Sequence, residues 1–143
     1  MKKIALVNGP NLNFLGKRQP KIYGNKTLQD IEATVTKQAE SMGLELTCFQ
    51  SNHEGEIIDF LQKIDDSHAG VIINPGALMM NGYGLYDAIS GSSLKFVEVH
   101  LSNIYAREKF RHHSIISSIC IGQISGFGAE SYSLGLKALS NKI

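Results

Sequence analysis

Glu98, His100 and Ser102 alternate in the run Glu98-Val99-His100-Leu101-Ser102-Asn103. In an extended chain, a spacing of two puts side chains on one face. A carboxylate would then stand beside an imidazole, orienting the ring and supporting the charge it carries before it gives up a proton. General acid catalysis near neutral pH needs such a pair. A structural histidine satisfied by an acid is the plain alternative, and the position at the end of an apolar run favours a functional site.

The chain has only three arginines, Arg18, Arg107 and Arg111. Guanidinium groups suit planar, multidentate recognition of carboxylates and hydroxyls. Arg107 and Arg111 belong to Arg107-Glu108-Lys109-Phe110-Arg111-His112-His113, where Arg107 fits a solvated helix face. His112 and His113 are adjacent and would diverge on a helix, so no metal site is expected. Arg18 and Tyr23 share one loop around Pro20. Folded together, the cation would stabilise phenolate charge and make Tyr23 a base; an exposed tyrosine on a mobile loop is the other reading.

Three more polar clusters each follow an apolar run: Asn8-Gly9-Pro10-Asn11, Gln50-Ser51-Asn52-His53-Glu54-Gly55 and Asn74-Pro75-Gly76-Ala77. Taken singly, the second reads as a helix start capped by Ser51 or Asn52, and the third as turn chemistry.

The elements that must position these residues alternate. Short β-rich runs at 3–7, 44–49, 70–73, 95–99 and 118–121 read as strands. A helix from Thr27 buries Leu28, Ile31, Val35, Ala39 and Met42, with Thr27 as cap and Gly43 as stop. Ile57, Ile58, Leu61 and Ile64 mark a second helix, Leu85 and Ile89 a third, and Tyr132, Leu136, Leu139 and Ile143 a C-terminal one. Strands joined by helices imply right-handed crossovers and a flavodoxin-like α/β fold, a five-stranded parallel sheet with helices on both faces. Such sheets bind ligands beyond the carboxyl ends of their strands, where the polar clusters fall. The stretch at about 14–26 is too long for a simple connector and reads as a lid with Gly16 and Gly24 as hinges.

At 143 residues, one catalytic domain spanning 1–143 is expected. A formal net charge of +1 without a basic stripe argues against nucleic acid or an anionic membrane as partner, leaving small molecules. Lys2 and Lys3 precede only four apolar residues, too few for a signal peptide, and no window is long enough to span a bilayer, so a cytoplasmic protein is expected. Cys48 and Cys120 lie far apart in apolar segments and read as inert buried thiols.

Together, Asn8 to Gly24, Gln50 to Gly55, Asn74 to Ala77, Glu98 to Asn103 and Arg107 to Ser114, with Gly126-Phe127-Gly128 and Tyr132, resemble type II 3-dehydroquinate dehydratase over nearly the whole length. The resemblance implies cofactor-free elimination of water from 3-dehydroquinate to 3-dehydroshikimate through an enolate, in the shikimate pathway of aromatic amino acid biosynthesis or in quinate breakdown. It implies Tyr23 as base, activated by Arg18; Asn11 as enolate stabiliser, through a water; and His100, oriented by Glu98, as acid. Asn74 and the backbone at Leu101 and Ser102 would hold the substrate carboxylate, and Arg111 the ring hydroxyls. It further implies a dodecamer built from trimers in which Asp87 reaches a neighbouring subunit's site.

One block departs from the family pattern. Where the family usually carries Thr-His-Thr-Ser, this chain has Met79-Met80-Asn81-Gly82, so Met80 replaces a substrate-binding histidine. Tyr86 replaces a common arginine before Asp87, and Gln19 the usual glutamate before Pro20. A thioether cannot donate a hydrogen bond, so a divergent relative with weakened activity or another hydroxy-carboxylate substrate is the alternative. A flavin carrier or phosphoacceptor domain of the same fold fits poorly, because Asn8-Gly9-Pro10-Asn11 is neither a phosphate cradle nor an acidic cluster.

Overall fold

The computed structural model describes residues 1–17 and 19–143. Strands β1 (Lys2–Asn8), β2 (Leu44–Gln50), β3 (Gly70–Asn74), β4 (Lys95–His100) and β5 (Gly122–Ser125) form one parallel sheet in the order β2-β1-β3-β4-β5. This is the flavodoxin-like order, with the switch point between β1 and β3.

Alternation along the strands divides the core. Ile4 and Leu6 of β1, Ile72 of β3 and Val97 and Val99 of β4 pack on one face, against α2 (Leu28–Ser41) and α6 (Glu130–Ser140). Ala5, Val7, Val71, Ile73 and Phe96 pack on the other, against α3 (Glu54–Ile64) and α5 (Tyr83–Gly91). A period of two thus covers both faces of the sheet with helices. Among the described residues no helix is long and apolar enough to cross a membrane.

Helix α2 begins as its sequence predicts. Thr27 accepts a hydrogen bond from the Asp30 amide at 3.1 Å, and Asp30 accepts one from the Thr27 amide at 3.0 Å, closing a capping box. Gly43, at φ 73°, turns the chain into β2. Helix α3 starts differently from expectation. His53 occupies the cap position, and Ser51 accepts its amide at 2.9 Å while donating to Glu56 at 2.8 Å.

Two expectations need correction, the fifth strand and the end of the last helix. The run 118–121 is not the fifth strand. Residues 117–119 form a 3-10 turn in which the Ile116 carbonyl accepts from the amides of Ile119 and Cys120 and the Ser117 carbonyl accepts from that of Cys120; pairing with β4 begins at Ile121 and the strand is Gly122–Ser125. Within the stretch 14–26, Pro20–Tyr23 forms a single helical turn, α1, started by the proline. Gly16 and Gly24 flank it at φ 87° and 83°, backbone that glycine adopts without strain. A further short turn, α4 (Leu78–Asn81), precedes α5, and Ile143 lies beyond the end of α6 while still packing on the core.

Candidate active site

The carboxyl ends of the strands lie side by side, with Asn8 opposite both Gln50 and Asn74 and with His100 opposite Ser125. Over this edge lies a cavity of about 160 Å³, the scale of one small cyclic acid. The elements converging on it contribute Asn11 and Tyr23 from the segment after β1, Asn74 from the end of β3, and His100, Leu101, Ser102, Arg107 and Arg111 from the end of β4 and the turns beyond.

The expected acid pair is formed. His100 Nε2 donates to Glu98 Oε2 at 2.5 Å, with Glu98 fully buried and His100 nearly so. Nε2 is thereby committed, and Nδ1 is the nitrogen left to serve the cavity. Burial alone would raise the Glu98 carboxyl, but hydrogen bonds from His100 and Ser117 and the imidazole charge outweigh it and hold Glu98 below the usual carboxylate range. Ser117, itself held by Gln123 at 2.9 Å, donates to the other oxygen, Oε1, at 2.6 Å.

Asn11 stands in left-handed backbone at φ 69°, and its amide donates to Asn52 Oδ1 at 2.9 Å. Gln50 braces the same oxygen at 3.2 Å, so the cluster after β2 supports the loop after β1. Asn74 is 2% exposed and its Oδ1 accepts the Gly76 amide at 3.1 Å. Arg111 donates through Nε to Glu108 at 2.9 Å, which fixes its guanidinium at the rim.

Arg107 corrects the reading of a solvated face. Its guanidinium carbon lies 5.0 Å from the centroid of the Tyr23 ring, and Nη1 reaches Ser102 Oγ at 3.4 Å. Its side chain is 12% exposed, and its buried Nε makes no hydrogen bond among the described residues. His112 Nε2 donates to the Arg107 carbonyl at 3.0 Å and steadies the turn. The local signal for this role was only the scarcity of arginine, because the charged run mimics a surface helix while the chain makes two 3-10 turns, 104–106 and 109–111.

Other expected residues fall elsewhere. Arg18 lies outside the described residues. Asp87 is exposed on α5, beside Asp65 and Ser92 in a separate depression. Met79, 2% exposed, lines the cavity, whereas half-buried Met80 is not among its described lining residues. Cys48 and Cys120 are half-buried rather than buried, and burial pushes each thiol up to about 12, far from a reactive thiolate.

Fold and site together define a flavodoxin-like α/β protein with one polar cavity, furnished for acid–base work, at the carboxyl ends of its strands. Residues 2–140 match the model of the dehydroquinase class II family. The chain belongs to that family. A 3-dehydroquinate dehydratase of Bacillus cereus is 52% identical over 143 residues, covering all of this chain and 98% of the relative, and one of Bacillus anthracis is equally similar. The crystal structure of a type II dehydroquinase from Butyrivibrio crossotus superposes with a TM-score of 0.94 at 42% identity, covering 96% of this chain and 97% of that one. A 3-dehydroquinate dehydratase-like protein from Bifidobacterium longum is more distant, at a TM-score of 0.74 and 27% identity over 99% of this chain and 97% of that one.

Proposed function

We propose that this chain removes water from 3-dehydroquinate to give 3-dehydroshikimate, as a hydro-lyase of the shikimate pathway. The observation that carries the reading is one cavity lined by Tyr23, Asn11 and His100, with His100 backed by Glu98.

Tyr23, as phenolate, takes a proton from the carbon beside the ketone, and the bonding pair moves into the enolate. Arg107 against the ring, together with Arg18, supports the phenolate charge. Asn11 stabilises the enolate oxygen through a water. Collapse of the enolate expels the hydroxyl on the next carbon, His100 protonates it, and water leaves a conjugated enone. Asn74 and the backbone of Leu101 and Ser102 hold the carboxylate, while Arg111 binds ring hydroxyls. The segment at about 14–26 closes as a lid between Gly16 and Gly24. A dodecamer built from trimers, with Asp87 reaching a neighbour's site, and a cytoplasmic location complete the proposal.

Identity of 52% with dehydratases over the full chain favours this reading over a changed substrate, despite Met80. Incubation with 3-dehydroquinate, followed by the ultraviolet absorbance of the conjugated product, tests it: turnover is expected, and none at high enzyme concentration would overturn it.

A further inference from the structure

We propose that Tyr132, on the C-terminal helix and outside the cavity, is a positioning residue for substrate binding that acts through Asn74. The inference rests on the reading that Asn74 holds the substrate carboxylate.

Tyr132 is fully buried between α6 and the sheet. Its hydroxyl donates to Asn8 Oδ1 at 2.6 Å and accepts from Asn74 Nδ2 at 2.8 Å. The direction of this chain is fixed by one backbone group. Gly76 N–H can only donate, so Asn74 must present Oδ1 to it at 3.1 Å and turn Nδ2 the other way. Nδ2 can only donate, so the Tyr132 oxygen must accept, and its proton must go to Asn8 Oδ1. One N–H of Asn74 is consumed by Tyr132, and the other remains for an anion in the cavity that Asn74 lines.

Two observations tie the arrangement to direction rather than to packing alone. Asn8 is fully buried, yet its Nδ2 makes no hydrogen bond among the described residues, so what it supplies is the acceptor. Gly135, one turn beyond Tyr132, lets α6 approach the sheet closely: a Cβ there would stand 2.7 Å from Val99 Cγ1. That approach brings the phenol within reach of β1 and β3 together. Burial also drives the Tyr132 hydroxyl well above its ordinary pKa, so it stays a protonated donor throughout the working range.

Steady-state kinetics of the full chain with 3-dehydroquinate provide the test. Tyr132→Phe should raise KM about threefold to tenfold with kcat held within about twofold, the signature of lost ground-state binding. Introduced into an Asn74→Ala background, the same change should leave KM unaltered within about twofold, because its route to the substrate is gone. Leu136→Ala, a core change one turn along α6, should lower the melting temperature while leaving KM in place. If Tyr132→Phe fails to fold, Asn8→Ala removes the acceptor that orients the phenol and should raise KM likewise. An unchanged KM in a folded single variant, or an equal KM rise in both backgrounds, overturns the proposal. Failure of the unaltered protein to turn over 3-dehydroquinate would instead remove the functional reading beneath it.

Discussion

Glu98 and His100, two residues apart on β4, meet at 2.5 Å with both side chains withdrawn from solvent. The glutamate is held from its other side by Ser117, so the imidazole is oriented by a carboxylate that cannot itself turn away. Glu98→Gln keeps the shape and removes the charge. It should lower kcat by about 10²-fold or more, within the range of a general acid's contribution, and turnover near the unaltered rate would assign the pair a structural role.

The same pair sets an acid limit on stability. Glu98 is held below its ordinary 4.5 in the folded protein, so its ionisation favours folding. That contribution is full above the unfolded value and is lost as pH falls from about 4.5 through the lower folded value. Urea unfolding midpoints measured from pH 7 to pH 3 should therefore fall in this window, and Glu98→Gln should flatten the decline. A parallel decline in both proteins would contradict the account.

Arg107 contacts Tyr23 through the face of the ring, a geometry suited to a planar guanidinium. Arg107→Lys keeps the charge and loses that plane, and should reduce kcat/KM roughly tenfold or more, with Arg107→Ala worse. Equal activity of the lysine variant would show that charge alone suffices.

Gly24 ends the helical turn that carries Tyr23, and a Cβ there would meet nothing within 4 Å. Among the described residues the obstacle to a side chain is the backbone, at φ 83° and ψ −178°. Gly24→Ala should therefore cost about 1 to 3 kcal/mol of loop conformation and lower kcat more than global stability. A variant with unchanged kcat would argue against closure of this segment as part of turnover.

Met80→His tests the family departure. Restoring a side chain that both donates and accepts should lower KM several-fold, up to about tenfold, if a ring hydroxyl there lacks a partner. No change would mean that the hydroxyl is met from elsewhere.

The main architecture was legible because both faces of the sheet are covered, which makes β1, β3 and β4 short continuous apolar runs and gives α2, α3 and α6 clear stripes. Glu98 and His100 were legible for a local reason, a spacing of two in extended chain. What escaped depended on contacts between distant segments. Ser118 to Ile121 has strand composition, but its turn closes locally and Ser117 is drawn to Glu98. Arg107 reads as surface until two 3-10 turns aim it at Tyr23, and Tyr132 looks like one more core position until its hydroxyl is seen between Asn8 and Asn74.

The central claim is that Tyr23 and His100 act as base and acid on 3-dehydroquinate held in the one cavity they both line. The most direct measurement is the rise in ultraviolet absorbance as the conjugated product forms, for the unaltered protein beside Tyr23→Phe and His100→Ala. The account predicts steady turnover by the first and a loss of about 10²-fold or more in each variant. Undetectable turnover by the unaltered protein, or a Tyr23→Phe variant as fast as its parent, would contradict it.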